Sequence, residues 1–295
     1  MERKSAPGTM PFADTSTLSA VRQGQSDFGT RVGRLGRKVI RDEREAGIFF
    51  EPSQKTVDLT ALYLHGGGYV SGDGEYERGV AALLAEKLGV RLCAADYRLA
   101  PEYPYPAAVD DAEQSYAALL DAGNPPEKLV VIGDSSGGGL CFALLVRLKE
   151  KKLPMPAAVI ALSPWCDLTM EAYRPDATDG MLDVPLLKSW AESYRGEAEL
   201  RSPELSPVFG DLSGFPPTLI LAGSAELLRA DAKRMTAALN AAGVSAELTE
   251  APDQGHTYPL TGSKQARVAL SRMREFLAQI EKRSEAPEGA PPRMR

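Results

Sequence analysis

Histidine is the scarcest reactive residue in this chain: His65 and His256 are the only two among 295 residues. So few imidazoles exclude a histidine-rich metal cage and leave little room for a relay of several histidines. Cysteine is nearly as sparse. Cys93, Cys141 and Cys166 are odd in number, none falls in a C-x-x-C pair, and each sits among apolar residues. That pattern fits buried free thiols in a reducing compartment rather than a disulfide framework or a zinc site. No run has the apolar length of a transmembrane helix, so no stable membrane insertion is expected. The first residues, with Glu2 and Asp14, lack the apolar core of a secretory leader, and the cytoplasm is the expected location. A basic surplus is missing as well. The 34 Lys and Arg residues are outnumbered by 40 Asp and Glu, a net charge of -6, which weighs against nucleic acid as a partner. Arg22, Arg31, Arg34, Arg37, Lys38 and Arg41 are spaced as one solvated helical face.

What is present is an alternation. Short apolar, β-type runs at residues 59–64, 90–95, 129–132, 157–162, 218–222 and 246–250 alternate with helical patterns. The helices are expected at 76–87, 107–122, 136–151, 230–242 and 264–281. Weaker strand signals at 38–41 and 48–51 suggest a leading hairpin. Gly89, the Gly123-Asn124-Pro125-Pro126 turn and Gly243 punctuate the joints. This order predicts one α/β domain over residues 1–295, with a mostly parallel sheet of about eight strands covered on both faces. Chemistry in such sheets gathers in the loops at the carboxyl ends of the strands. Two segments break the alternation: 1–39, helical without a strand partner, and 169–214, an insertion long enough to be a lid or binding element. Residues 284–295 read as a frayed tail.

Three strand ends carry chemistry. After residues 129–132 comes Gly133-Asp134-Ser135-Ser136-Gly137-Gly138-Gly139, then a helix. This is G-x-S-x-G in a strand–turn–helix setting. Its glycines allow a sharp turn that lifts the Ser135 hydroxyl above the sheet. After residues 59–64 comes His65-Gly66-Gly67-Gly68-Tyr69. Glycines there let backbone amides face a cleft, as an oxyanion-binding loop of the H-G-G-G type requires. His65 is then a loop-shaping residue, and His256, after the last strand, is left as the candidate base. Glu226 follows the strand at 218–222 and is the favoured acid to orient the imidazole. Asp231, at the start of the next helix, and Asp253, three residues before His256, are the alternatives.

At these blocks the chain resembles the hormone-sensitive-lipase-like family of α/β-hydrolases, the bacterial family IV esterases. The match rests on residues 65–68, on 97–102 with 104–110, on 133–138 and on Gly255-His256, with residues 202–217 and 219–223 also fitting. The resemblance implies an α/β-hydrolase fold and a helical cap formed by residues 1–39 and 169–214. It also implies an oxyanion hole from the amides of Gly67, Gly68 and Ser136, and a serine carboxylic-ester hydrolase that needs no metal or organic cofactor. It raises the expectation of a homodimer through the edge strand at 246–250. Two departures stand out. The family's usual acid is Asp where this chain has Glu226, and Ser136 stands where Ala is common. Tyr69, Trp190, Tyr194 and Phe28 are candidates to line the substrate pocket, with core packing as the competing role for each. A modest insertion suggests small ester substrates with short to medium acyl chains. The competing functions are an amidase or N-/O-deacetylase with the same triad, and a ligand-binding protein on a hydrolase scaffold.

Overall fold

The structure, a computed structural model, describes residues 18–34, 40–44 and 46–285. Parts of the expected cap (1–17 and 35–39) and of the strand at 38–41, and most of the expected tail, lie outside the described residues. One eight-stranded sheet organises the rest. Its strands are β1 (Ile40–Arg44), β2 (Gly47–Glu51), β3 (Thr60–Leu64), β4 (Arg91–Ala94), β5 (Leu129–Asp134), β6 (Ala158–Leu162), β7 (Thr218–Gly223) and β8 (Ala246–Ala251), in the order β1-β2-β4-β3-β5-β6-β7-β8. β1 pairs with β2 and β2 with β4 antiparallel, and every later pairing is parallel.

Sequence explains the sheet's layering. β3, β5, β6 and β7 are buried along their whole length, because helices cover both faces and alternation has no use there. β8 is partly or fully exposed from Ala246 to Glu250 and buried only at Ala251, as an edge strand is. The helices are α1 (Leu18–Gly33), α2 (Glu75–Leu88), α3 (Ala107–Asp121), α4 (Ser136–Glu150), α5 (Val184–Arg195), α6 (Arg229–Ala241) and α7 (Lys264–Ser284). On α7 the buried residues Ala266, Ala269, Leu270, Met273, Phe276, Leu277 and Ile280 recur at helical spacing and form one stripe. Its start is capped by Ser263, whose Oγ accepts from the Ala266 amide at 3.0 Å. Two hydrophobic cores result. α2 and α7 close one around Tyr63, Val80, Ile132 and Met273. α3, α4 and α6 close the other around Leu62, Phe142, Ile220 and Met235.

The two segments that interrupt the alternation come to the same end of the sheet. α1 lies on α2, with Phe28 beside Tyr76 at a ring-centroid distance of 6.0 Å. Arg22 fastens α1 to the body: Nε donates to the Val70 carbonyl at 2.9 Å, and both terminal nitrogens donate to Glu102 at 3.0 and 2.8 Å. α5 belongs to the insertion and is capped by Asp183, which accepts from the Leu186 amide at 2.8 Å. Asp179 ties this segment down. One carboxylate oxygen accepts from Met181 and Leu182, and the other from the Leu227 amide at 2.8 Å, one residue past Glu226.

Candidate active site

Ser135 sits between β5 and α4 at φ 54°, ψ -121°, a backbone state that a residue with a Cβ rarely adopts. Its neighbours must be glycine because the turn is so tight. A Cβ on Gly137 would lie 2.1 Å from the Leu64 carbonyl oxygen, and one on Gly133 2.3 Å from that of Gly137. The Ser135 amide donates to the Leu162 carbonyl at 2.8 Å, which ties the turn to the end of β6. Strain held in this way marks functional turns, and here it presents the serine oxygen beside the positive end of α4.

Opposite it, the β3 loop is held open by three clamps. The Gly67 carbonyl accepts from the Val70 and Ser71 amides at 3.2 and 3.1 Å and from the Ser71 hydroxyl at 2.9 Å. Tyr97 stacks on His65 at 4.1 Å and donates its hydroxyl to the His65 carbonyl at 2.6 Å. Asp134, the residue before Ser135, supplies the third clamp. Its Oδ1 accepts from the Gly66 amide at 3.0 Å and from the Tyr63 hydroxyl at 2.6 Å, and its Oδ2 from the Tyr76 hydroxyl at 2.6 Å. This buried carboxylate therefore staples the loop to the serine turn. The amides of Gly67 and Gly68 carry no hydrogen bond to another described residue, and the Ser136 amide opens α4. Gly68, at φ 65°, lies under Trp190: a Cβ there would meet the indole at 2.2 Å.

His256 and Ser135 meet. His256 Nε2 stands 2.9 Å from Ser135 Oγ, in a site where the imidazole is 1% exposed. Glu226 is buried in the neighbouring loop, and its Oε2 accepts from the Ser163 hydroxyl at 2.7 Å and the Gly223 amide at 3.0 Å. Ser163 Oγ also accepts from the Thr257 amide at 2.9 Å, so one hydroxyl links the Glu226 loop to the His256 loop. Ser163 itself sits at φ 50°. Two buried polar atoms of this constellation have no partner among the described residues: Glu226 Oε1 and His256 Nδ1. Burial pushes the Glu226 carboxyl up and the His256 imidazole down, each towards its neutral form; the Asp179 carboxylate pulls His256 the other way. The alternative acids are engaged elsewhere. Asp231 accepts from the Cys166 and Asp167 amides and from the Tyr173 hydroxyl, while Asp253 is on an exposed turn. His65 is a neutral, buried ring, pushed down to about 4 by burial, with Nδ1 2.9 Å from the Gly66 carbonyl.

A cavity of about 20 Å³ opens beside Ser135 and His256. Gly67, Gly68 and Tyr76 line it from the body, Val21 and Gln25 from α1, and Met181, Leu182 and Trp190 from the insertion. Of the expected pocket residues, Trp190 is placed there. Tyr69 and Tyr194 are packed instead in the interior, 1% exposed and stacked on each other at 3.8 Å, and Phe28 is buried between α1 and α2. Sequence reasoning passed over Asp134, Ser163, Asp179 and Gln25. Asp134 had one visible signal, a charge at the end of an apolar strand; Gln25 had another, a polar residue in the buried Val21–Phe28–Val32 stripe of α1. No group of three His, Cys, Asp or Glu among the described residues is arranged to hold a metal, and no described helix is long and apolar enough to cross a membrane. The three cysteines are buried and form no disulfide among the described residues, and burial pushes the thiols of Cys141 and Cys166 up, far from thiolate reactivity.

The fold has counterparts among known proteins. The profile of the alpha/beta hydrolase fold matches residues 61–260, and the chain belongs to that family. An acetyl-hydrolase of Streptomyces hygroscopicus is 40% identical over 202 residues, 68% of each chain. The putative acetyl-hydrolase LipR of Mycobacterium tuberculosis is 35% identical over 79% of this chain and 74% of its own. Among solved structures, an esterase from the bacterial hormone-sensitive lipase family superposes with a TM-score of 0.80 at 32% identity, over 91% of this chain and 93% of that one. Within the α/β-hydrolases, this protein is a hormone-sensitive-lipase-like, family IV member of carboxylesterase type.

Proposed function

We propose that this hydrolase cleaves short-chain carboxylic esters, acetates foremost, through Ser135, His256 and Glu226. The observation that carries the reading is the 2.9 Å contact between Ser135 Oγ and His256 Nε2 at a strained strand–helix turn. In this mechanism His256 Nε2 takes the Ser135 proton as Oγ attacks the ester carbonyl carbon. The carbonyl oxygen, now an anion, is held by the amides of Gly67, Gly68 and Ser136. The imidazolium returns the proton to the alcohol oxygen as the C–O bond breaks, leaving an acetyl group on Ser135. Water, deprotonated by His256, then releases the acid. In this reading Glu226 Oε1, buried and unpartnered like His256 Nδ1, stabilises the imidazolium as it forms, while Ser163 and the Gly223 amide fix Oε2. α1 and the insertion act as the cap that keeps water from the site.

Acyl size follows from the cavity. About 20 Å³ is a narrow space, so short acyl groups fit and long chains meet Trp190, Met181 or Leu182. The names of the acetyl-hydrolase relatives support the same choice. Ser135→Ala should lower kcat/KM for p-nitrophenyl acetate on the order of 10⁴-fold or more. Undiminished hydrolysis by that variant overturns the assignment.

A further inference from the structure

Gln25 is the one unpaired polar side chain that α1 brings to the reaction site. It stands on the buried stripe of α1 and is 4% exposed, and its Oε1 has no hydrogen-bond partner among the described residues. It lines the same small cavity as Ser135 and His256. There Oε1 lies against the backbone of Gly67, 3.0 Å from where a Cβ on that residue would stand. A buried acceptor without a donor is destabilising, and no lining side chain donates to Gln25 Oε1 in this structure. Val21, Met181 and Leu182 are apolar, the Tyr76 hydroxyl is committed to Asp134 at 2.6 Å, and the Ser135 hydroxyl faces His256. The nearby amides of Gly67 and Gly68 are the ones that face the carbonyl oxygen in the proposed reaction.

We infer that Gln25 is a substrate-recognition residue, whose Oε1 accepts a hydrogen bond from a hydroxyl that the substrate carries beside its scissile ester. The inference rests on the ester-hydrolase reading above and names its substrate class. A plain ester has no donor to offer. The donor must therefore belong to a second group, close to the scissile ester because Gln25 and Ser135 line one small cavity. Short-chain esters of vicinal diols and polyols have this arrangement on the alcohol side, and 2-hydroxyacyl esters have it on the acyl side. A site built around such a contact discriminates against the isostere that lacks it, because the acceptor is then left buried and unpaired.

Two matched pairs test this on the full-length enzyme, with acid release followed by titration. 2-Hydroxyethyl acetate against propyl acetate reads the alcohol side, and methyl glycolate against methyl propionate reads the acyl side. The expected result is a kcat/KM ratio of about tenfold or more in favour of the hydroxyl-bearing ester in one pair, the scale of one buried hydrogen bond. Gln25→Met, which keeps side-chain length without an acceptor, should bring that ratio close to one. Ratios near or below one in both pairs for the native enzyme overturn the inference without any variant being needed. A ratio that survives Gln25→Met overturns it as well. These outcomes leave the ester-hydrolase reading standing if the plain esters are hydrolysed and Ser135→Ala abolishes that hydrolysis. Failure to hydrolyse any of the four esters overturns both.

Discussion

On the proposed reading Trp190 is the wall against which the acyl group is measured, and removing it should change which ester the enzyme prefers. Its indole lies on the backbone of Gly68, so close that a single added methyl there would stand 2.2 Å from the ring. Together with Met181 and Leu182 it reduces the space beside Ser135 to about 20 Å³. Trp190→Ala opens that space along α5. Each methylene that moves from water into the enlarged pocket contributes about 0.8 kcal/mol. Going from acetyl to hexanoyl adds four, or roughly 3 kcal/mol at most, a factor of about two hundred in kcat/KM. The assay is a p-nitrophenyl ester series from acetate to octanoate, run on both proteins. The native enzyme should fall off beyond the shortest chains, and the variant should peak near hexanoate. α5 will lose some packing, so thermal unfolding must first show that the variant is folded. A folded Trp190→Ala that keeps the native chain-length profile refutes the reasoning; so does a native enzyme already fastest on hexanoate.

The remaining predictions concern the groups behind the reacting atoms. Asp134→Asn puts an amide where two tyrosine hydroxyls and the Gly66 amide need acceptors. It should cost about 3 kcal/mol of stability, read as a lower melting temperature, and an unchanged melt would contradict the stapling role. Ser163→Ala removes the hydroxyl shared by the Glu226 and His256 loops. kcat should fall roughly 10- to 100-fold with little change in KM, and a full kcat would show that Glu226 needs no such support. Burial lowers the His256 imidazole to about 4, so the proton-accepting form persists in acid. kcat/KM for a neutral ester should therefore hold through pH 6.5, the ordinary histidine midpoint, and decline only further down. Asp179→Asn withdraws the carboxylate that favours the imidazolium and should move that decline to still lower pH. A midpoint at or above 6.5 in the native enzyme would contradict the burial argument.

What was legible in the chain was legible for a physical reason. Glycine spacing announces a backbone that cannot carry side chains, and residues 65–68 and 133–139 lie at strand ends as expected. The parallel strands were readable because burial on both faces leaves apolar runs, and their expected and observed limits differ by a residue or two. The clamps were not readable, because they depend on approaches across long stretches of chain. Ser163 reaches Glu226 over 63 positions, and Asp179 reaches the Leu227 amide over 48. Gln25 showed only as a polar residue on an apolar stripe, and its place at the site was hidden for the same reason: only the packing of α1 onto α2 carries it to Gly67. Aromatic residues near a strand end read equally as pocket or as core. For Tyr69 and Tyr194 the core prevailed, since stacking buries two large rings at once.

The central claim is that Ser135 is a nucleophile made reactive by His256. The most direct measurement is intact-protein and peptide mass spectrometry after treatment with a fluorophosphonate. The account predicts one adduct per chain, on Ser135, formed at least about a thousandfold more slowly in His256→Ala. An adduct on any other serine, or labelling of Ser135 that does not depend on His256, would contradict it.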